Sequence, residues 1–184
     1  MNGPLRDKPL PDIVSENLKI LFVGFNPGIK SAQQGHHYAG ASNRFWRLLY
    51  ESGLTGRKLS PEEDGKLLHY GFGSTNLADR PTRQAGELGK EELARGCDAL
   101  AALITDIRPG TVCYVGIGVY RIFRSHWTGI SKGRLAVSAG LQTGGLFEGI
   151  RDFVCSNPSG LNTIPYSRQL DCFRELRRLV AENS

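Results

Sequence analysis

Much that would identify a chain of this length is missing from this one. Its four cysteines, Cys97, Cys113, Cys155 and Cys172, stand alone, with no Cys-x-x-Cys pair and no histidine at ligand spacing. A zinc ribbon or a cysteine-ligated cluster needs such spacing, so neither a metal nor any other cofactor is expected. No apolar run approaches the roughly 18 residues of a membrane-spanning helix, which removes the membrane as a partner. The N-terminus carries no leader of the signal-peptide type, and unpaired cysteines suit a reducing compartment, so a cytoplasmic location is expected. Internal repeats and low-complexity tracts are absent. Gly116-Ile117-Gly118 lacks the third glycine and the acidic ribose-binding residue of a dinucleotide fingerprint.

What is present is ordinary globular material. The 184 residues are 40% apolar and 22% charged, which suits one domain with its own core. A net charge of +5 and a pI near 9.2 favour approach to a polyanion such as DNA. The charge is spread along the chain, so the competing reading is a mildly basic enzyme with no such partner. Residues 1–17 are polar and hold three prolines, and are expected to be a flexible lead-in to a single domain over 18–184.

Apolar runs over Ile20–Val23, Thr111–Ile117 and Phe153–Cys155 read as buried strands, with Arg134–Val137 and Leu146–Gly149 as short ones. Helical spacing marks Arg44–Ser52, Glu87–Ile107 and Arg168–Ala181. Pro61–Tyr70 follows a serine and opens with two glutamates, a helix start. Strands alternating with helices predict an α/β fold, a three-layer sandwich around a mainly parallel sheet.

Two short segments matter most. Gly24-Phe25-Asn26-Pro27-Gly28 and Asn157-Pro158-Ser159-Gly160-Leu161 each follow a predicted strand. Asn, Pro and Gly are common turn formers, and either segment alone says little. In an open α/β sheet, however, ligands bind beyond the carboxyl ends of strands, so the two turns are expected to meet in one crevice with an asparagine on each wall.

The surrounding residues carry a family resemblance. The Gly24–Gly28 turn, Ser31-Ala32, Tyr38 ahead of Asn43-Arg44-Phe45-Trp46, Asp79-Arg80-Pro81-Thr82 and the Asn157–Leu161 loop occur in that order. Together they resemble the mismatch-specific uracil-DNA and thymine-DNA glycosylases, a branch of the uracil-DNA glycosylase superfamily, over roughly Leu18–Val180. The resemblance implies a uracil-DNA glycosylase-like fold and a monofunctional enzyme that flips uracil or a related mismatched or damaged pyrimidine out of double-stranded DNA and leaves an abasic site. It also implies a monomer. The isolated cysteines set the chain apart from the cluster-bearing branches of that superfamily, and no catalytic lysine is implied.

Roles follow residue by residue from the same resemblance. Asn26 would aim a water at C1′; an amide accepts a hydrogen bond but is too weak a base to take the proton outright. Asp79 is the candidate second carboxylate, with pairing to Arg80 or a local cap as the competing reading. Tyr38 would stack on the flipped base, standing where the family more often has Phe. Phe25, Gly28 and Ser31 would bond the base, and Asn157 would hold the nucleotide from the opposite wall, unless it merely closes an Asx turn. Leu161 would wedge into the vacated stack, with Gly160 and Asn162 touching the base left opposite. The family often continues with Ser-Arg after that Leu; Asn162-Thr163 here puts preference for an opposite guanine in question. His37 is read as a solvated loop histidine or a substrate contact. Arg80, Arg83 and Lys132 are candidate phosphate contacts. Two other classes stay open: a non-catalytic mismatch-sensing DNA-binding domain, and a hydrolase of free nucleosides or nucleotides, which would leave Leu161 unexplained.

Overall fold

The computed structural model describes residues 9–82 and 85–182. Its strands are β1 (Ile20–Gly24), β2 (Phe72–Asn76), β3 (Thr111–Val115), β4 (Gly140–Leu141) and β5 (Arg151–Cys155). They lie in the order β2-β1-β3-β5-β4. All neighbours pair in parallel except the two-residue β4, which runs antiparallel to β5. β1 and β3 are buried along their whole length, and their unbroken apolar runs are what a strand covered on both faces requires.

The helices are α1 (Ile29–Gln34), α2 (Phe45–Glu51), α3 (Lys90–Ile107), α4 (Ile117–Thr128) and α5 (Tyr166–Ala181). Side chains alternate across a strand, so β1 feeds two cores. Ile20 and Phe22 pack with Phe45 and Leu48 of α2 and with Phe173 and Leu176 of α5. Leu21 and Val23 pack on the other face with Leu100 and Ile104 of α3 and Val119 and Phe123 of α4. The result is the expected three-layer α/β/α sandwich. Cys113, Cys155 and Cys172 are buried in the first core with sulfur atoms 3.6 Å apart, free thiols whose separation is that of packing.

Sequence reading does not find β2, because Phe72 is its one large apolar residue. Its burial comes from elsewhere. Ile13 forms an antiparallel bridge to Ser74 through two backbone hydrogen bonds. A Cβ on Gly73 would stand 2.6 Å from the Ile13 carbonyl oxygen, so the absent side chain is what admits this segment. Leu10 is buried as well. Of residues 9–17, expected to be part of a flexible lead-in, the segment 10–14 is therefore held against the sheet edge, because β2 otherwise has an open edge, while 15–17 are exposed; residues 1–8 lie outside the described residues.

Other boundaries also shift. The strand expected to reach Ile117 stops at Val115, because Gly116, at φ 140°, turns the chain into α4. Arg134–Val137 and Leu146–Gly149 are not strands. Their apolar residues Val137, Leu146 and Phe147 pack onto the α3/α4 core rather than pairing in a ladder. Pro61–Tyr70 is a 3-10 helix, opened by a capping box between Ser60 and Glu63.

Asp152 of β5 is fully buried. Its carboxylate accepts from the Tyr114 and Tyr120 hydroxyls, at 3.3 and 3.4 Å, and from the Leu146 N–H at 3.1 Å. Arg124 in turn donates to the Tyr120 hydroxyl at 2.7 Å. Burial outweighs these donors and pushes the Asp152 carboxyl from 3.8 up to about 6. Between those values the folded state holds a proton the unfolded chain has released, so the group's contribution to stability falls as pH rises through that window. In urea unfolding across this interval, the stability of the wild type minus that of Asp152→Asn should decrease with rising pH. A flat or rising difference contradicts the assignment.

Candidate active site

β1 and β3 are neighbours in the sheet, but the chain leaves them in opposite directions, β1 toward β2 and β3 toward β5. Such a divergence opens a crevice at the carboxyl ends of the two strands. A cavity of about 600 Å³ occupies it, within the size range of small-molecule sites. Its walls are the turn after β1, the Tyr38 loop, the start of α2, and the loop after β5. Both Asn-Pro turns meet here.

Asn26 is held by its amide nitrogen. Nδ2 donates to the Arg80 carbonyl at 2.9 Å, to Thr82 Oγ1 at 2.7 Å and to the Pro27 carbonyl at 3.3 Å. Carbonyl oxygens only accept, so the amide cannot be turned the other way without setting oxygen against oxygen. Asn26 Oδ1 is thereby left as an acceptor with no hydrogen bond among the described residues. The segment that does this is itself zipped to the turn. Leu77, Ala78 and Thr82 N–H groups donate to the carbonyls of Gly24, Phe25 and Pro27. The Asp79–Thr82 motif therefore serves Asn26 through Arg80 and Thr82.

On the opposite wall the polarity is reversed. Asn157 Oδ1 accepts from the Ser159 N–H at 2.9 Å, an Asx turn. A backbone N–H can only donate, so Nδ2 is the end without a hydrogen bond among the described residues, on an exposed residue that lines the cavity. The cavity thus offers an acceptor from one asparagine and a donor from the other.

Tyr38 adopts φ 53°, a left-handed conformation unusual for an aromatic residue. Neighbouring bonds hold it there. The His37 N–H donates to Asp64 Oδ2 at 2.9 Å, and the Ala39 N–H donates to the buried Ser31 Oγ at 3.1 Å. The Tyr38 ring stacks on Phe45 with centroids 3.7 Å apart, and the half-buried remainder lines the cavity. Its hydroxyl is buried near Ser74 without a hydrogen bond of ordinary geometry, and burial pushes its pKa well up. The polar end is thus turned toward β2, leaving the cavity an apolar ring much like that of Phe.

His37 is not the solvated histidine that sequence reading favoured. It is 2% exposed, with Nε2 at 3.0 Å from the Pro11 carbonyl and Nδ1 at 2.9 Å from Ser74 Oγ. The carbonyl requires the proton on Nε2, and burial lowers the ring's pKa, so His37 is a neutral strut between the 9–13 segment and β2.

The remaining candidates divide. Phe25, Gly28 and Ser31 line the cavity; the Phe25 ring also packs on the α3/α4 core, and Gly28 pairs with Thr82. Gly160 lines it too. Leu161 is 91% exposed at the loop tip, by far the barest large apolar residue described. Asn162 turns inward instead, Nδ2 donating to the Asn157 carbonyl at 2.6 Å and Oδ1 accepting from the Ile164 N–H at 3.0 Å, so its amide is occupied in holding the loop.

Asp79 is not brought to Asn26. It is exposed and lines a neighbouring cavity of about 470 Å³ with Asp12, Arg80 and Glu92. The physical reason is the zipping above: pairing residues 77–82 to the β1 turn presents the Arg80 carbonyl to Asn26 and leaves the Asp79 side chain on the far side. No carboxylate lines the Asn26 cavity among the described residues. Arg80 forks onto Glu92 at 3.0 Å and reaches the Glu87 carbonyl at 2.8 Å, so its guanidinium is engaged within the protein. Lys132 lines neither cavity, and Arg83 lies outside the described residues.

Sequence reasoning missed Asn76, Lys30 and Asn43 as cavity residues. Asn76 was legible in principle, since it ends β2 and a strand end faces the crevice. Asn43 caps α2, its Oδ1 accepting from the Phe45 N–H at 2.9 Å.

Comparison with known proteins bears on the whole arrangement. The model of the uracil DNA glycosylase superfamily matches residues 11–181. The chain also resembles the solution NMR structure of a candidate uracil DNA glycosylase from Methanosarcina acetivorans. That likeness has a TM-score of 0.58 and 20% identity, covering 93% of this chain and 98% of that one, and it speaks to the fold.

One contact joins the two walls tightly enough to test. A Cβ on Gly160 would stand 2.4 Å from Ser42 Cβ and 2.9 Å from the Ser42 carbonyl oxygen. Gly160→Ala should cost about 1–3 kcal/mol in urea unfolding, as overpacking does. Adding Ser42→Gly should recover part of that loss. Equal stability of Gly160→Ala and wild type would mean the loop does not sit this close to α2.

Proposed function

The chain belongs to the uracil DNA glycosylase superfamily, and from that premise we propose that it hydrolyses the N-glycosidic bond of uracil, and of related mismatched or damaged pyrimidines, in double-stranded DNA. The reading makes it a monofunctional, monomeric enzyme working without a cofactor, its single domain taking in the edge segment at residues 10–14 ahead of residue 18. The observation that carries it is the fixed amide of Asn26, whose Oδ1 is left free on a residue that lines a cavity an extruded base can fill.

Breaking the bond between uracil N1 and C1′ builds positive charge on the sugar and negative charge on the base. Asn26 Oδ1 accepts a hydrogen bond from water and orients its oxygen toward C1′. The C1′–N1 electron pair leaves with the base, the water oxygen bonds to C1′, and the surplus proton passes to solvent. Tyr38 stacks on the base, backbone groups of Phe25 and Gly28 with Ser31 read its edge, and Asn157 Nδ2 supplies a donor as negative charge develops. Because neither Asn26 nor any carboxylate in the cavity takes the water's proton, about a hundredfold to ten-thousandfold of rate from general-base catalysis is forgone. Leu161 fits the vacated stack, which an exposed Leu flanked by Gly160 explains better than any packing role.

Single-turnover base release from duplexes bearing uracil opposite guanine or adenine, read by alkaline cleavage of the abasic product, tests this. Wild type should release base, and Asn26→Ala, which no longer positions the water, should be slower by about a hundredfold. Duplex binding with no release would instead favour a mismatch-sensing module, and turnover of free nucleosides a small-molecule hydrolase. Tyr38→Ala should lose about tenfold or more, the range of base stacking on an aromatic ring, and Tyr38→Phe much less. A larger loss for Phe than for Ala would contradict the ring's role.

A further inference from the structure

The tip of the loop that carries Leu161 is closed by one backbone bond, from the Asn162 N–H to the Ser159 carbonyl at 2.9 Å. The Leu161 N–H reaches Ser159 Oγ only at 3.4 Å, and the side chain is 91% exposed. Beyond that turn and the Gly160–Ser42 contact, the loop is anchored at its base, where two amides share the Asn157 carbonyl. Asn162 Nδ2 belongs to the loop itself; Gln169 Nε2, at 3.1 Å, reaches in from α5.

Gln169 is 1% exposed and lies outside the cavity. Its Oε1 accepts from Arg44 Nη1 at 3.1 Å. Arg44 adds two bonds to the same loop, Nη1 to the Ile164 carbonyl at 3.3 Å and its backbone N–H to the Pro158 carbonyl at 2.9 Å. The Arg44–Gln169 pair thus spans the loop from Asn157 to Ile164 and ties it to α2 and α5 at once. The chemistry of the bridge is selective. Arg44 only donates and the Asn157 carbonyl only accepts, so the group between them must carry one acceptor and one donor, as a glutamine does. An ionised glutamate keeps Arg44 but turns an oxygen on the Asn157 carbonyl, and leucine satisfies neither.

We propose that Gln169 is a positioning residue which, through the Asn157 carbonyl, sets the posture of the Leu161 loop and so governs extrusion of the base rather than cleavage of the bond. This rests on the glycosylase reading above. Gln169 touches neither base nor water.

The test is a ratio. Single-turnover release is measured for uracil opposite guanine, which must be unpaired and extruded, and for uracil opposite an abasic spacer, which needs far less. Gln169→Glu retains the Arg44 partner, Gln169→Leu cannot donate to the Asn157 carbonyl in any protonation state, and urea unfolding establishes that both are folded before release is compared. Each should lower the paired-to-spacer ratio by about tenfold, the scale of one buried hydrogen bond lost from the loop's base. Leu161→Ala should lower the same ratio, and Gln169→Glu combined with it should lower it no further, because Gln169 acts on extrusion through the posture of Leu161. A ratio unchanged from wild type, through equal losses on both substrates or none, overturns the inference, as does full additivity with Leu161→Ala. Wild-type protein that releases base from neither substrate overturns the glycosylase reading itself and the inference with it.

Discussion

A backbone carbonyl can only accept a hydrogen bond and a backbone N–H can only donate one, and that asymmetry orients every polar side chain that matters around the cavity. The Arg80 carbonyl fixes Asn26 with its nitrogen inward and its oxygen free. The Ser159 N–H fixes Asn157 the other way. The Pro11 carbonyl sets the tautomer of His37, and the Asn157 carbonyl draws in both Asn162 and Gln169. A side-chain amide is chemically ambiguous in isolation; here each is read by a backbone group that cannot change its polarity. The cavity therefore presents an acceptor on one wall and a donor on the other before any ligand arrives, which is preorganisation of the kind that electrostatic catalysis needs.

The sheet makes those backbone groups available. Parallel strands end together at one edge, and the divergence between β1 and β3 leaves their carboxyl ends uncovered. The turn after β1 cannot satisfy its own carbonyls, so the 77–82 segment pairs with it. The same pairing sends Asp79 into the neighbouring cavity and leaves the Arg80 guanidinium engaged with Glu92. A motif that invites a reading through its charges serves through a carbonyl and a hydroxyl instead.

That contrast marks how far the sequence could be read. Buried strands β1, β3 and β5 and helices α2, α3 and α5 were legible because their apolar periodicity reports burial directly. The strand β2 was not, since Ser74 and Thr75 are buried by a partner segment whose own role depends on tertiary contact. Asn26, Tyr38 and Asn157 were legible as cavity residues from their strand-end turns and their resemblance to a family pattern. The positions of Asp79, His37 and Asn162 were not, because a side chain's direction in a loop follows from hydrogen bonds to residues distant in sequence. The packed 10–14 segment was hidden for the same reason: prolines and polar residues describe a free chain well, yet Leu10 and Ile13 find an open sheet edge.

A crystal structure of the protein on a duplex containing 2′-fluoro-2′-deoxyuridine, whose glycosidic bond resists cleavage, would show whether Asn26 Oδ1, oriented by its amide's bonds to Arg80 and Thr82, holds the attacking water. Uracil should be extruded onto Tyr38, with a water within about 3.2 Å of Asn26 Oδ1 and facing C1′. A water held instead by another side chain, or Asn26 Oδ1 turned away from the sugar, would contradict that role for Asn26.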